Sequence, residues 1–137
     1  MINSRSLSDL NPKVAALCSE FINRCKEQGI DVIITSTYRD TESQNALYAQ
    51  GRTTPGNKVT NAKGGQSFHN WKVAFDFCPI VNGKAQWNDA ALFTKCGEIG
   101  ESIGLEWAGR WSKFKETAHC QFTNGLTLAD FQAGKSI

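Results

Sequence analysis

The stretch Ser67–Asp76, SFHNWKVAFD, constrains this chain more than any other. It follows a glycine-rich loop and leads into a β-like apolar run, Val73–Phe77. It holds one of the two histidines in the chain, His69, and an aspartate seven positions later, Asp76. Side chains alternate along a strand, so residues an odd number apart point to opposite faces. His69 and Asp76 therefore cannot sit in one regular strand and face the same ligand. If they act together, His69 belongs to a loop or bulge before the strand and Asp76 lies inside it. Ala74 then shares the Asp76 face and leaves room beside it. The second histidine, His119, stands three positions after Glu116 and opens another short strand candidate, His119–Phe122. The same reasoning puts Glu116 in the loop ahead of that strand.

Two imidazoles, a carboxylate and a spare glutamate are the parts of a catalytic zinc site, which offers three protein ligands and keeps one position open. Zinc held this way lowers the pKa of water from about 15.7 to about 7. A nearby carboxylate must still carry the proton, and Glu116 is the candidate. Blander readings compete. A lone histidine beside aromatics is more often a packed residue with one hydrogen bond, and a lone Asp or Glu a solvated charge. A serine-hydrolase arrangement, with His69 and Asp76 serving Ser36 or Ser67, lacks a GxSxG elbow. The HExxH zinc motif is absent too. Residue types and spacing leave these alternatives open.

At 137 residues the chain suits one domain, 1–137, with its own core. The net charge of +2 comes from scattered basic residues, which is no nucleic-acid signature but suits an anionic polymer. No apolar run is long enough to span a membrane, and the N-terminal MINSRSLSDLNPK lacks the apolar core of a secretory signal. Synthesis in the cytoplasm, a monomer and no stable membrane association are the expectations. Five cysteines, an odd number without CxxC pairing, read as reduced, buried thiols. Cys78 shares the Asp76 face of its strand and is a minor candidate for a fourth metal ligand.

Hydrophobic periodicity and turn signals supply the elements. Asn11 and Pro12 open a helix that Gly29 stops, and Ile30–Ser36 reads as a strand. Thr41 with Gln44 resembles a capping box for a second helix to about Gln50. Gly51–Gln66 is a long aperiodic loop, the mark of a functional or mobile segment. A strand over Val73–Phe77 ends at Pro79, and Asn82-Gly83 is a two-residue turn. Asn88 caps a third helix closed by Gly104. Leu105–Trp107 is a further short strand, and Thr127–Ala133 a terminal helix. This order lacks regular βαβ alternation and predicts an α+β fold, a small, mainly antiparallel sheet with packed helices.

The motifs themselves resemble a known family. SFHNWKVAFD is similar to the SxHxxGxAxD motif of the VanY-type D-alanyl-D-alanine carboxypeptidases and phage endolysins, with Ser67, His69, Ala74 and Asp76 matching. Glu116 and His119, inside WSKFKETAHCQF, match the second motif, with Trp111 and Phe114 leading in. STYRDTESQNALYAQGR resembles the arginine-bearing segment through Arg39, Gln44, Leu47, Tyr48, Gly51 and Arg52, and LSDLNPKV is family-like too. The resemblance implies a hedgehog/D-Ala-D-Ala-peptidase-like fold. It implies one Zn2+ per chain held by His69, Asp76 and His119, with Glu116 as catalytic base. It puts Arg39 at the substrate or the developing oxyanion, and Ser67 and Gln44 in substrate-binding or supporting places. Trp107 and Trp111 either line a groove or pack in the core.

The implied activity is that of a phage-type endolysin, cutting the peptidoglycan stem as an L-alanyl-D-glutamate endopeptidase. Such an enzyme is made in the host cytoplasm and reaches the wall or periplasm through a lesion made by a separate membrane-permeabilising protein. The rivals are a D-alanyl-D-alanine carboxypeptidase and a zinc-bearing binding module without catalysis. One departure stands out. Lys72 replaces the glycine of the motif, so the backbone there either differs or adopts a positive φ with a side chain, and Lys72 could instead reach into the cleft.

Overall fold

Helix α1 (Pro12–Glu27) carries the core. The Asn11 side chain accepts from the Lys13 amide at 2.9 Å, Pro12 takes the first helical position, and Gly29 leaves the helix at φ +76°. Val14, Cys18, Phe21 and Cys25 recur along one face and are fully buried. The Phe21 ring lies 5.6 Å from Phe75 and 5.0 Å from Phe77, both in the central strand β2 (Ala74–Val81). Burying each such side chain stabilises the fold by about 1.5–3 kcal/mol. Because Phe75 and Phe77 turn inward, Asp76 between them must turn outward. The packing of α1 therefore decides where the aspartate goes.

In this computed structural model, which describes residues 1–137, one five-stranded antiparallel sheet forms the frame. Strands β1 (Asp31–Ser36), β2, β5 (His119–Gln121) and β4 (Glu106–Trp107) follow one another in that order, and β3 (Lys84–Ala85) pairs with the far end of β2. Helices α2 (Thr41–Ala49), α3 (Ala90–Ser102) and α4 (Leu128–Gln132) complete the fold. None of the helices is long and apolar enough to cross a membrane. The α+β architecture expected from the element order is the one observed.

Register places Asp76 opposite both Ser36 of β1 and His119 of β5. A bulge between Ile34 and Ser36 makes this possible: Ile34 pairs with Phe77, yet Ser36, and not Thr35, pairs with Asp76. Bulges re-aim a side chain in this way. Outside the sheet, residues 2–6 run alongside Ser36–Asp40. The Ser4 amide donates to the Tyr38 carbonyl and the Thr37 amide to the Ser4 carbonyl, each at 2.8 Å. The Thr37 hydroxyl donates to the Ser6 carbonyl at 2.8 Å.

Three local expectations need correction. Pro79 does not end β2, which continues to Val81. Along β2 the odd residues bond away from β1: Phe77 donates to Ala118 O, and Pro79 O accepts from Gln86 N. The position where a Pro79 amide would donate falls between the end of β5 and the start of β3, so no ladder bond is lost. Second, the cap of α2 is Asp40, whose side chain accepts from the Ser43 amide at 2.8 Å, so Thr41 is already helical. Third, Asp89, not Asn88, caps α3, accepting from Leu92 N at 3.0 Å. The Asn82-Gly83 turn forms as expected, with φ of +51° and +76°.

All five cysteines are free and buried. Burial pushes the Cys18 thiol up to about 12. Trp107 is also a core residue. Its indole lies against Gly97 of α3 and Gly109, where an added Cβ would come within 2.1 Å of the ring in each case. Its Nε1 donates to Thr117 O at 2.8 Å. A methyl group at Gly97 must displace the indole or the helix. Gly97→Ala is expected to destabilise the fold by about 1–3 kcal/mol, read as a lower urea midpoint at unchanged slope.

Candidate metal centre

His69 stands on a single 3-10 turn, Phe68–Trp71, immediately before β2. The Ser67 side chain accepts from the His69 amide at 3.3 Å. Asn70 Oδ1 accepts from the Ser67 amide at 3.1 Å and the Gly65 amide at 3.0 Å, while its Nδ2 donates to Arg39 O at 2.8 Å. The turn leaves through Lys72, which adopts φ +63° and ψ +26°. The left-handed geometry that favours glycine is thus kept with a lysine in place, at a cost of about 1–2 kcal/mol. Lys72 does not enter the cleft: its Nζ lies 4.8 Å over the Tyr38 ring. His69 is therefore in the loop and Asp76 in the strand, as parity demands.

His69 is 3% exposed, and its Nδ1 donates to the Thr37 carbonyl at 2.8 Å. Nε2 is left as the basic nitrogen, 3.1 Å from Asp76 Oδ1. His119 opens β5 with the opposite tautomer. Its Nε2 donates to Gln121 Oε1 at 2.8 Å, and its Nδ1 lies 3.2 Å from the same Asp76 oxygen. The three ligand atoms lie within 4.8 Å of one another. Two lone pairs and a carboxylate oxygen do not crowd together without a cation or proton among them. Two nitrogens and one oxygen, each histidine oriented by an acceptor on its other nitrogen, fit a zinc ion. Cys78 takes no part; it is fully buried, with its Sγ against Pro79 O.

Glu116 lies in the loop before β5, 59% exposed, with Oε2 at 3.6 Å from His119 Nδ1. Arg39 comes from the opposite side. Its Nη1 donates to Gln44 Oε1 at 2.9 Å and its Nη2 to Ser36 Oγ at 3.1 Å, and the guanidinium stands 4.0 Å from Asp76 Oδ2. Arg39 Nε is buried without a partner. Gln44, expected among substrate-binding residues, is instead fully buried. It holds Arg39 through Oε1 and the Ala62 carbonyl, at 2.8 Å, through Nε2. Its place is behind Arg39, not at the substrate. Ser67 serves the His69 turn and also faces the cleft.

The cleft has a volume of about 910 Å³. Val59–Ala62, Trp111 and Phe114–His119 are among the residues that line it. Of the two tryptophans considered for a groove, Trp111 is in it, its ring 5.8 Å from that of His119. The long Gly51–Gln66 segment, which contributes Val59–Ala62 and Gln66 to the lining, is tied to α2 and to itself by hydrogen bonds. Arg52 donates to Tyr48 O at 2.7 Å and Thr60 O at 3.1 Å, and Gly64 N to Asn45 Oδ1 at 2.8 Å. Residue types alone did not single out Thr37, Gln121 or Glu106. For Gln121 a signal existed: two positions after His119, it shares the same strand face.

Charge balance at the cluster is uneven. Burial pushes the Asp76 carboxyl up, but the charges and hydrogen bonds of His69 and His119 outweigh it and hold Asp76 well below the usual carboxylate range. Burial likewise pulls His119 down, yet Asp76 and Glu116 leave its pKa above the ordinary histidine value. An incoming metal must displace that proton. Metal affinity is expected to fall as pH is lowered through the raised His119 pKa and to level off on its alkaline side, because proton and metal compete for the same nitrogen. Chelator-competition titrations across that pKa check this; pH-independent affinity would contradict it.

Comparison with known proteins agrees with this geometry. Residues 7–121 match the VanY family, described as D-alanyl-D-alanine carboxypeptidase. The peptidoglycan L-alanyl-D-glutamate endopeptidase CwlK of Bacillus subtilis is 36% identical over 129 residues, covering 83% of this chain and 74% of the relative. The L-alanyl-D-glutamate peptidase of Listeria phage A118 is 27% identical over 139 residues, covering 97% of this chain and 46% of the relative. Among solved structures, the Serratia marcescens L-Ala D-Glu endopeptidase ChiX superposes with a TM-score of 0.66 at 16% identity, over 95% of this chain and 92% of that one. A vancomycin-resistance D,D-pentapeptidase VanY in complex with Zn(II) gives 0.61 at 14% identity, over 90% and 83%. With most of its length matched and the motif residues gathered in one cleft, the chain belongs to the VanY peptidase family.

Proposed function

We propose that this chain is a zinc peptidase of the phage-endolysin type that cuts the L-alanyl–D-glutamate bond of the peptidoglycan stem. The observation that carries the reading is the convergence of His69 Nε2, His119 Nδ1 and Asp76 in one cleft, with the exposed Glu116 carboxylate beside them. The likeness to the Bacillus subtilis L-alanyl-D-glutamate endopeptidase supports the choice of bond. One zinc ion per chain, held by His69, Asp76 and His119, supplies Lewis acidity toward the scissile carbonyl and toward water.

The chain's own residues do the rest. Glu116, 59% exposed and beside His119, is placed to take a proton from the attacking water and return it to the departing amine nitrogen. Arg39 is anchored by Gln44 and Ser36 before substrate arrives, so its charge reaches the developing oxyanion without reorganisation. Trp111, Phe114 and Val59 in the lining of the cleft give the stem peptide an apolar grip around these charges. In this reading the enzyme is made in a host cytoplasm and meets the wall after a separate protein permeabilises the membrane.

Mass spectrometry of digested muropeptides tests the assignment. New amino termini at D-glutamate are expected, whereas release of free D-alanine would instead establish a D-alanyl-D-alanine carboxypeptidase. Glu116→Ala should keep one zinc per chain and lose about 10²–10⁴-fold in turnover. Full turnover in that variant removes Glu116 from its role, and a zinc-loaded wild type that cleaves nothing makes the chain a binding module. Arg39→Met is expected to lower kcat by about 10²–10³-fold with the zinc content unchanged.

A further inference from the structure

His119 is the inner end of a hydrogen-bonded chain that runs away from the cleft. Its Nε2 donates to Gln121 Oε1 at 2.8 Å. Gln121 Nε2 donates to Glu106 Oε2 at 2.8 Å, and the other oxygen of that carboxylate accepts from Thr123 Oγ1 at 2.9 Å. The sheet dictates this order. Gln121 and Thr123 follow His119 at strand spacing, and β4 sets Glu106 directly opposite Gln121. His119, Gln121 and Thr123 are all at most 6% exposed, while Glu106 closes the chain at the exposed edge of β4.

A glutamine amide is almost symmetric in shape but not in chemistry. Rotated by half a turn, Gln121 would present its NH2 group to His119 Nε2. That nitrogen would then have to accept, and the ring proton would move to Nδ1, the atom that faces Asp76. What forbids the rotation is the far end of the amide. An ionised carboxylate only accepts, so a rotated Gln121 would set its buried amide oxygen against a Glu106 oxygen with no donor between them. Thr123, itself buried, donates to the other carboxylate oxygen and so favours the orientation in which Glu106 faces Gln121.

We propose that Glu106, although it never reaches the cleft, is a positioning residue that selects the metal-binding tautomer of His119 by orienting Gln121. The inference rests on the reading of His69, Asp76 and His119 as a zinc site. It adds a charged residue on the outer strand to the determinants of metal affinity. Second partners of this kind change metal affinity by about 10–100-fold when removed.

The test is the zinc affinity of metal-free protein, measured by competition with a chromophoric chelator. Glu106→Gln keeps size and shape but offers Gln121 either a donor or an acceptor, so both amide orientations become available. It should weaken zinc binding by about 10–100-fold. Combining Glu106→Gln with Gln121→Glu puts an acceptor-only group against His119 and a donor beneath it. That double variant should bind zinc at least as tightly as wild type, a rescue that a purely structural role for Glu106 would not produce. Wild-type affinity in Glu106→Gln, or a double variant no tighter than the single one, overturns the inference and leaves the zinc site standing. A wild type that binds no zinc overturns the zinc reading and the inference together.

Discussion

Everything at the cleft depends on one carboxylate oxygen. Asp76 Oδ1 is the atom that both imidazoles face, at 3.1 and 3.2 Å. It sits there because Asp76 occupies the central strand, with aromatic neighbours on the opposite face that cannot leave the core. Shifting β2 by one residue would bury the aspartate and expose two phenylalanines. The hydrophobic contact between α1 and β2 is therefore also the device that aims the carboxylate. Core stability and site geometry are one constraint.

Around that oxygen the fold supplies each imidazole with an acceptor on its other nitrogen. For His69 it is a main-chain carbonyl, Thr37 O, and for His119 a side chain, Gln121. The two solutions differ in kind. A carbonyl can only accept, so the His69 tautomer is safe once the backbone is placed. An amide can do either, so His119 needs a further partner to resolve it. Arg39 is treated similarly, with Gln44 and Ser36 holding the guanidinium while one nitrogen, Nε, stays unpaired.

Much of this was legible in the sequence, because it rests on periodicity. Strand parity separates His69 from Asp76, helical spacing picks out Val14, Cys18, Phe21 and Cys25, and Gly29 and Asn82-Gly83 mark their turns. What could not be read depends on register or on competition between neighbours. Asp40 precedes Thr41, and Asp89 follows Asn88, so two good capping residues stand side by side and only the backbone decides between them. Pro79 looks like a strand end because its position between two partner strands appears only in the assembled sheet. Gln44 looks like a polar helix residue near the substrate, and the Ala62 carbonyl that buries it lies beyond an aperiodic loop. Glu106 acquires a partner at the cluster solely through the pairing of β4 with β5.

The segment at residues 2–6 has a consequence for how the site can open. Its bonds to Thr37 and Tyr38 make the start of the chain the outer layer of the strip that carries both the Thr37 carbonyl and Arg39. The segment is held by isolated backbone bonds and not by a ladder of the sheet, the kind of contact that opens before core strands do. When it lifts, the strip loses its outer partners while β2 and β5 remain packed. His69 and Arg39 would then loosen together, and His119 would not. The two histidines thus rest on different supports, His69 on this strip through Thr37 O and His119 on β5. The site should come apart as a hinge does, from its His69 side.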